Sequence, residues 1–316
     1  MRAFAVVALL LSLISAAIPS TDGLEQSSGS AEVLSSNVIR VSTNLVMVPV
    51  SVTDAAGRPI TDLGQNDFRI EEDGHTETIS RMADAGQSPL QLALLFDLSG
   101  SVNPRFEFEQ QAATRFLQKV WKPGDAVTIV SFTDQPTIRI RNSRSLTEAL
   151  QDLLKLQPTQ SSTALFDSVV ASARLLKSDA TSDTRQAEIV LSDGEDNRSE
   201  ATMAEARREI QRCDTIFYSI NPGGNSIRLN DISIRGQKDL VLLARESGGT
   251  AFVSDRTADL DEIFARIATE LRAQYLLGYY SSNPSADGNF RQIAVTLPQK
   301  PDFRVRSRQG YYAVRK

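Results

Sequence analysis

Residues 92–101 read LALLFDLSGS, and residues 187–194 read AEIVLSDG. Residues 92–96 form a wholly apolar run and residues 187–191 a largely apolar one, and each run leads into a carboxylate. A wholly apolar run of this length is typical of a strand buried on both faces of a parallel sheet. The two segments therefore predict two strands of one sheet, with polar side chains gathered where the strands end.

Helix and strand patterns alternate along residues 89–272. Apolar residues three and four positions apart predict helices around residues 146–154, 166–173, 203–212, 240–247 and 260–271. Further strands are expected at 126–132, 215–220 and 250–253, while residues 221–238 predict a long loop. Strands separated by helices favour an α/β fold, with a doubly wound, mostly parallel sheet covered on both faces.

Two β segments flank the α/β region. Valines occupy every second position from 46 to 52, and the two-residue period returns after residue 274. Each segment alone holds few strands, and isolated hairpins are only marginally stable. We therefore expect residues 39–88 and 273–316 to pair as one β domain, with the α/β domain of residues 89–272 inserted between them.

The first residues have the composition of a signal peptide. Arg2 precedes the largely apolar residues 3–18, and small side chains predict cleavage after Ala17, so that residues 1–17 are removed. Residues 18–38 are mostly polar and predict a flexible linker. A retained membrane anchor is the alternative, but a span takes about 20 apolar residues. We expect an exported protein, periplasmic or extracellular, with no membrane span after cleavage.

The composition excludes several kinds of site. The 316 residues include one Cys and one His, so the chain cannot form an internal disulfide or the usual Cys/His zinc site. A Ser-His-Asp hydrolase would depend on His75, outside the α/β domain. The formal charge of −5 argues against nucleic-acid binding. We expect Cys213 to be a buried, unpaired thiol, with a crosslink between two chains as the alternative.

Oxygen ligands collect at the predicted carboxyl edge of the sheet. Asp97, Ser99 and Ser101 follow the first strand, Asp193 follows a second, and Thr163 precedes a helix between them. Ligands of open α/β sheets bind outside the carboxyl ends of the strands. Two carboxylates and three hydroxyls suit Mg²⁺, with Mn²⁺ or Ca²⁺ as alternatives. The other explanation is that these residues cap helices.

The strings FDLSGSV, STALFD and LSDGEDN resemble the von Willebrand factor type A (VWA) domain. The metal-ion-dependent adhesion site (MIDAS) of that family has the pattern Asp-x-Ser-x-Ser, a loop Thr and a later Asp-Gly. The resemblance implies a Rossmann-like VWA fold and metal ligands at Asp97, Ser99, Ser101, Thr163 and Asp193. This chain has Ser161-Ser162 where relatives often have glycines. In the family the metal binds a carboxylate of a partner and performs no chemistry.

The flanking segments resemble the bacterial "VWFA-related" family, described mainly from acidobacteria. VTDAAGRPITDL and DFRIEEDG carry the likeness in front, and YLLGYY, DGNFRQIAV and RSRQGYY carry it behind. The resemblance then covers nearly the whole mature chain. Together the two resemblances imply an exported adhesion module that binds a protein partner through an Asp or Glu side chain of that partner.

Two other functions stay open at this point. The protein could be a structural component of an envelope assembly in which the metal only stabilises the fold. It could also be a metal-dependent phosphohydrolase with an Asp nucleophile, but such enzymes usually carry a second acid two residues later, where this chain has Ser99. Because the α/β domain contains no His to act as a base, we expect a binding module and not an enzyme.

Overall fold

The computed structural model describes residues 45–99, 106–181, 184–223, 231–254 and 259–313. The predicted signal peptide, the linker and Ser101 lie outside these ranges. The strands are β1 (Leu45–Thr53), β2 (Arg69–Glu72), β3 (His75–Glu77), β4 (Ile79–Asp84), β5 (Leu90–Asp97), β6 (Ala126–Phe132), β7 (Pro136–Ser143), β8 (Arg185–Leu191), β9 (Thr215–Asn221), β10 (Ala251–Val253), β11 (Tyr275–Tyr280), β12 (Phe290–Thr296), β13 (Arg304–Ser307) and β14 (Gly310–Tyr312). The helices are α1 (Phe106–Val120), α2 (Leu146–Leu153), α3 (Leu165–Asp179), α4 (Met203–Arg212), α5 (Asp231–Ser247) and α6 (Asp259–Ala273).

A six-stranded sheet forms the centre of the α/β domain, in the order β10-β9-β8-β5-β6-β7. Its strands are parallel from β10 to β6, and β7 runs antiparallel beside β6. Leu94 of β5 lies opposite Ile129 of β6 and Ile189 of β8, and all three are fully buried. Burial on both faces explains why the middle of these strands is mostly apolar.

Helices cover both faces of this sheet. α1, α2 and α6 pack on one face, where the rings of Phe116 and Phe264 lie 4.9 Å apart. α3, α4 and α5 pack on the other face, around Leu95, Val169 and Phe217. The predicted α/β class, a doubly wound and mostly parallel sheet, is confirmed. Among the described helices, none combines the length and the apolar character needed to cross a membrane.

Strands from both flanking segments form the β domain. Its two sheets have the orders β13-β1-β11-β4 and β14-β12-β2-β3. β1 pairs with β11, where Val48 lies opposite Leu277, and β2 pairs with β12, where Ile70 lies opposite Val295. The alternating valines of β1 are buried in the core of this domain. The predicted architecture, a flanking β domain built from N- and C-terminal segments, is confirmed.

The chain enters and leaves the α/β domain through neighbouring strands. Asp84, the last residue of β4, lies opposite Tyr275, the first residue of β11. Close to this point the buried carboxylate of Asp125 accepts the amide hydrogen of Leu90 at 2.8 Å and pairs with the guanidinium of Arg272. These contacts tie the start of β5 to the end of α6.

The predicted long loop at residues 221–238 is wrong in its second half. α5 begins at Asp231 and runs through Gly236 to Ser247, and residues 224–230 lie outside the described ranges. Gly inside a helix costs about 1 kcal/mol relative to Ala, so its presence argued against a helix. The structure explains this Gly by a close contact between the backbones of Gly236 and Gly194.

Cys213, directly after α4, is the one Cys of the chain. The predicted burial of its side chain is confirmed. Burial raises the pKa of Cys213 to about 11, so the thiolate is scarce at neutral pH. The residue is therefore part of the packing and not a reactive nucleophile.

One acidic side chain lies within the apolar core. Glu188 of β8 is paired with Ala93 and Phe217 on the neighbouring strands, and its carboxyl group is fully buried. Burial raises the pKa of Glu188 well above its ordinary value, and the nearby hydroxyl of Ser172 lowers it by less. The folded protein therefore favours the neutral carboxyl group.

The variant Glu188→Gln should be more stable than the wild type at neutral pH. Above about pH 4.3 the unfolded chain releases the proton of Glu188 while the folded chain keeps it, so wild-type stability falls by up to about 1.4 kcal/mol per pH unit. Gln is neutral in both states, and its advantage should therefore disappear as the pH falls below about 4. Urea unfolding between pH 4 and pH 8 measures this difference.

Glu200→Gln is the control for this measurement, because the same change there removes an exposed carboxylate. We expect its stability to follow that of the wild type across the pH range. A Glu188→Gln protein whose stability changes with pH as steeply as the wild type would contradict the prediction.

Candidate metal centre

Asp97, the last residue of β5, is fully buried at the carboxyl edge of the sheet. Its Oδ1 accepts the amide hydrogen of Ser99 at 3.0 Å, and its Oδ2 accepts the hydroxyl of Ser192 at 2.8 Å. Burial raises the pKa of Asp97 to about 6 despite these donors, and the negative charge of Asp193 contributes to the rise. The described partners of this carboxylate are amide and hydroxyl groups, without a Lys or Arg.

Asp193 lies at the same edge because its strand neighbours that of Asp97. β8 pairs in parallel with β5, with Leu191 opposite Phe96, and Asp193 follows two residues later. The side chain of Asp193 is buried, and its Oδ1 accepts the amide hydrogen of Glu195 at 3.1 Å. The structure thus places both predicted carboxylates at one edge of the sheet.

Thr163 lies in the loop before α3. Its amide donates to Oδ1 of Asn197 at 2.9 Å. Its carbonyl oxygen accepts the amide hydrogens of Asn197 and Arg198, both at 3.1 Å. These bonds join the Thr163 loop to the loop that follows Asp193. Thr163 is buried, whereas Ser161 and Ser162 are exposed, so Thr163 supplies the buried hydroxyl of this segment.

Four of the five predicted ligands lie buried around the ends of β5 and β8: Asp97, Ser99, Thr163 and Asp193. Ser101, the fifth, is outside the described residues. Sequence reasoning missed Ser192 and Asn197, which hold Asp97 and the Thr163 loop in place. Both belong to the string LSDGEDN, and their position in it was the available signal.

The sequence of residues 92–195 matches the family model of the von Willebrand factor type A domain. The chain contains a VWA domain. The matched residues include the ends of β5 and β8, where the four buried side chains lie. No curated protein matches the chain in sequence.

Solved structures share the fold of this VWA domain at low sequence identity. Proximal thread matrix protein 1 from the mussel byssus is 16% identical, with a TM-score of 0.52, over 64% of this chain and 51% of that chain. Another structure of the same protein has a zinc-occupied MIDAS motif. A mutant of the PilB minor pilin from Streptococcus sanguinis is 13% identical, with a TM-score of 0.50, over 63% of this chain and 64% of that chain. The chain spans about half the length of the mussel protein, and these likenesses concern the fold alone.

Within the VWA domain, the turn after Asp193 lies in direct contact with α5. Gly194 has a φ of +89°, and its backbone lies directly on that of Gly236. A Cβ atom at Gly236 would lie 1.8 Å from the carbonyl oxygen of Gly194, far inside van der Waals contact. Ser233, also in α5, donates its hydroxyl to Glu195 at 2.5 Å. α5 therefore fixes the position of the turn that carries Asp193.

The donor set of the VWA domain fits a hard divalent cation. A bound cation would offset the desolvation of the Asp97 carboxylate, whose described partners are amide and hydroxyl groups. No three Asp, Glu, His or Cys side chains converge as a metal cluster within the described ranges. Mg²⁺ commonly takes one or two carboxylates and keeps several waters, whereas structural zinc favours Cys and His. Two carboxylates with neutral hydroxyls therefore fit Mg²⁺ or Mn²⁺.

Proposed function

We propose that this protein is an exported adhesion module whose VWA domain holds a divalent cation and, through it, an acidic side chain of a protein partner. The observation that carries the proposal is the buried Asp97 carboxylate, held by amide and hydroxyl donors at the edge it shares with Asp193. The zinc-occupied MIDAS motif of the mussel protein supports it through the common fold. Export rests on the signal-peptide pattern of residues 1–17.

The proposed ligands of the cation are Asp97, Ser99, Ser101, Thr163 and Asp193. When bound, the cation supplies positive charge and coordination positions that water or an outside ligand fills. Asp97 and Asp193 balance its two positive charges, and the hydroxyls add no further negative charge. Because the bound cation would keep a coordination position for water or an outside ligand and would stay electrophilic, a carboxylate from a partner is a favoured ligand there. Mg²⁺ is the first candidate, with Mn²⁺ and Ca²⁺ as alternatives.

Binding without turnover is part of the proposal. His75 is the one His of the chain, and it is exposed at the start of β3 in the flanking domain. Ser99 stands where a phosphohydrolase with an Asp nucleophile would carry its second acid. The VWA domain therefore has neither a His base nor the second acid of such a phosphohydrolase to activate water beside a metal.

The double variant Asp97→Asn/Asp193→Asn should lose metal binding. Asn keeps the shape of Asp but removes both negative charges from the metal edge. We expect calorimetry to show Mn²⁺ affinity lower by roughly 100-fold or more, since even the outer partners of metal ligands are worth about 10–100-fold. Asp62→Asn/Asp302→Asn is the matched control, because both residues are exposed in the β domain. Equal Mn²⁺ binding by the two double variants would contradict the proposal.

Partner capture should depend on the same edge. A crosslinking pull-down with the full mature chain should recover the partner in Mg²⁺ and lose it in EDTA or with Asp97→Asn. Thr163→Ala should weaken capture more than it weakens folding, because Thr163 contributes a neutral hydroxyl from a loop. Equal recovery under all these conditions would show that the metal edge is not the binding surface. A stabilising metal in an envelope assembly would then be the better explanation.

A further inference from the structure

A large cleft lies where the VWA domain meets the β domain. Its volume is about 1330 Å³, and its walls come from the ends of α3 and α4, from β1 and from the segment between β11 and β12. We call it the junction cleft. Arg185, the first residue of β8, lines it, whereas the metal edge follows the last residue of β8. At about 3.3 Å per residue the two sites lie about 20 Å apart.

Cations outnumber carboxylates along the VWA wall of the junction cleft. Asp214 accepts a hydrogen bond from Nζ of Lys177 at 2.8 Å and pairs at the same time with Arg308, which directly follows β13. Arg208 is exposed in this wall and forms no ion pair with any described residue. The described ion pair of Arg212 is 3.4 Å long and stays within α4. The wall therefore carries more positive charge than its own carboxylates balance.

In the described part of the chain, three buried arginines also line the cleft, and one of them, Arg291, is paired with Asp287. Arg185 is 3% exposed and donates to the carbonyl of Leu271 at 2.6 Å and to the amide oxygen of Gln274 at 3.2 Å. Arg308 is 8% exposed, and the carboxylate of Asp214 that pairs with it also pairs with Lys177. In both residues Nε has no hydrogen-bond partner among the described residues. Buried charges are ordinarily paired, but Arg185 has no described ion pair and Arg308 shares its carboxylate, so both add positive charge beside the cleft.

The β domain contributes an apolar wall. Leu45, Met47 and Pro49 of β1 line it, together with Leu276 and Tyr312. Pockets for small molecules measure about 300–1,000 Å³, so the volume of the junction cleft exceeds the size that one such ligand needs. Alternate side chains of an extended peptide point to opposite sides. A cationic wall and an apolar wall around one cleft therefore match a peptide in which acidic and apolar residues alternate.

We propose that the junction cleft binds an acidic peptide segment in an extended conformation. Its carboxylates meet Lys177, Arg208 and Arg212, and the side chains between them pack against β1 and Tyr312. Arg binds carboxylates well because its planar fork donates paired hydrogen bonds. The metal edge takes no part, so this inference is independent of the proposed function.

Fluorescence anisotropy with the full mature chain tests the proposal. The probe is a fluorescein-labelled peptide with two repeats of Gly-Glu-Leu-Glu-Ser, and the matched peptide carries Gln in place of each Glu. All titrations contain EDTA, which removes any contribution from a metal. We expect the Glu peptide to bind and the Gln peptide not to bind. Arg208→Glu/Arg212→Glu should weaken binding at least about tenfold, since like charges then face each other.

The control variant is Arg144→Glu/Lys155→Glu, which changes the net charge equally at exposed residues outside the cleft. It should bind the Glu peptide like the wild type. Arg208→Gln is a milder second variant if the double reversal unfolds, and it should still weaken binding. Equal binding of the Glu and Gln peptides, or equal losses in the cleft and control variants, would overturn the proposal. Binding of anionic lipid vesicles without binding of the Glu peptide would overturn it as well.

Discussion

A chain that ends at Ala273, the last residue of α6, should fail to fold its N-terminal β segment. Such a chain lacks β11, which pairs with β1 on one side and with β4 on the other. It also lacks β12, so that β2 and β3 remain as an isolated hairpin, which is marginally stable at best. The expected effect is loss of the whole β domain, measured as loss of amide protection and protease resistance in residues 45–84.

A chain that ends at Ala313 is the control for this truncation, since it keeps every described strand. It should be as resistant to protease as the chain that ends at Lys316. The chain that ends at Ala273 still contains Arg272, so the VWA domain retains the ion pair between Arg272 and Asp125. Unchanged protease resistance of residues 45–84 in the shorter chain would show that the flanking segments fold separately.

The variant Gly236→Ala should lose stability and metal affinity together. In an unconstrained helix, Ala in place of Gly stabilises by about 1 kcal/mol. Here the added Cβ would lie 1.8 Å from the carbonyl oxygen of Gly194, so the turn that carries Asp193 must move. We expect a loss of about 1–3 kcal/mol in unfolding free energy, the usual cost of overpacking. Calorimetry should show at least about tenfold weaker Mn²⁺ binding, the lower end expected for outer partners of metal ligands.

Lys238→Ala is the control, because it places Ala at an exposed position of the same helix without adding any side-chain atom. It should leave both the unfolding free energy and the Mn²⁺ affinity close to those of the wild type. If Gly236→Ala were instead more stable than the wild type with unchanged Mn²⁺ affinity, α5 would not position the metal edge.

The buried strands were the most predictable part of the fold. β5 and β8 are covered on both faces, so their apolar runs are visible in the sequence. β7 is an edge strand with many exposed residues, and no apolar pattern marked it. The first half of α5 was not predicted because it contains Gly236, which is unfavourable in a helix. This Gly allows a close backbone contact with Gly194, more than forty residues away. Such a contact depends on tertiary packing and leaves no local pattern.

The candidate site was predictable where strand ends define it. Asp97 and Asp193 follow neighbouring parallel strands, and parallel strands end at a common edge. The choice among Ser161, Ser162 and Thr163 depends on burial, which hydrogen bonds between two loops decide. Ser192 was overlooked because its role, holding the second oxygen of Asp97, requires knowledge of which strands are neighbours.

The pairing of β4 with β11 also determines how the molecule carries mechanical load. Asp84 and Tyr275 lie opposite each other, so the two covalent connections of the inserted VWA domain leave the β domain from neighbouring strands. Side-chain contacts such as the ion pair of Arg308 with Asp214 also join the two domains. A partner that pulls on the metal edge therefore loads the connections to β4 and β11 side by side. Each connection then bears part of the force, and neither is peeled from its sheet alone.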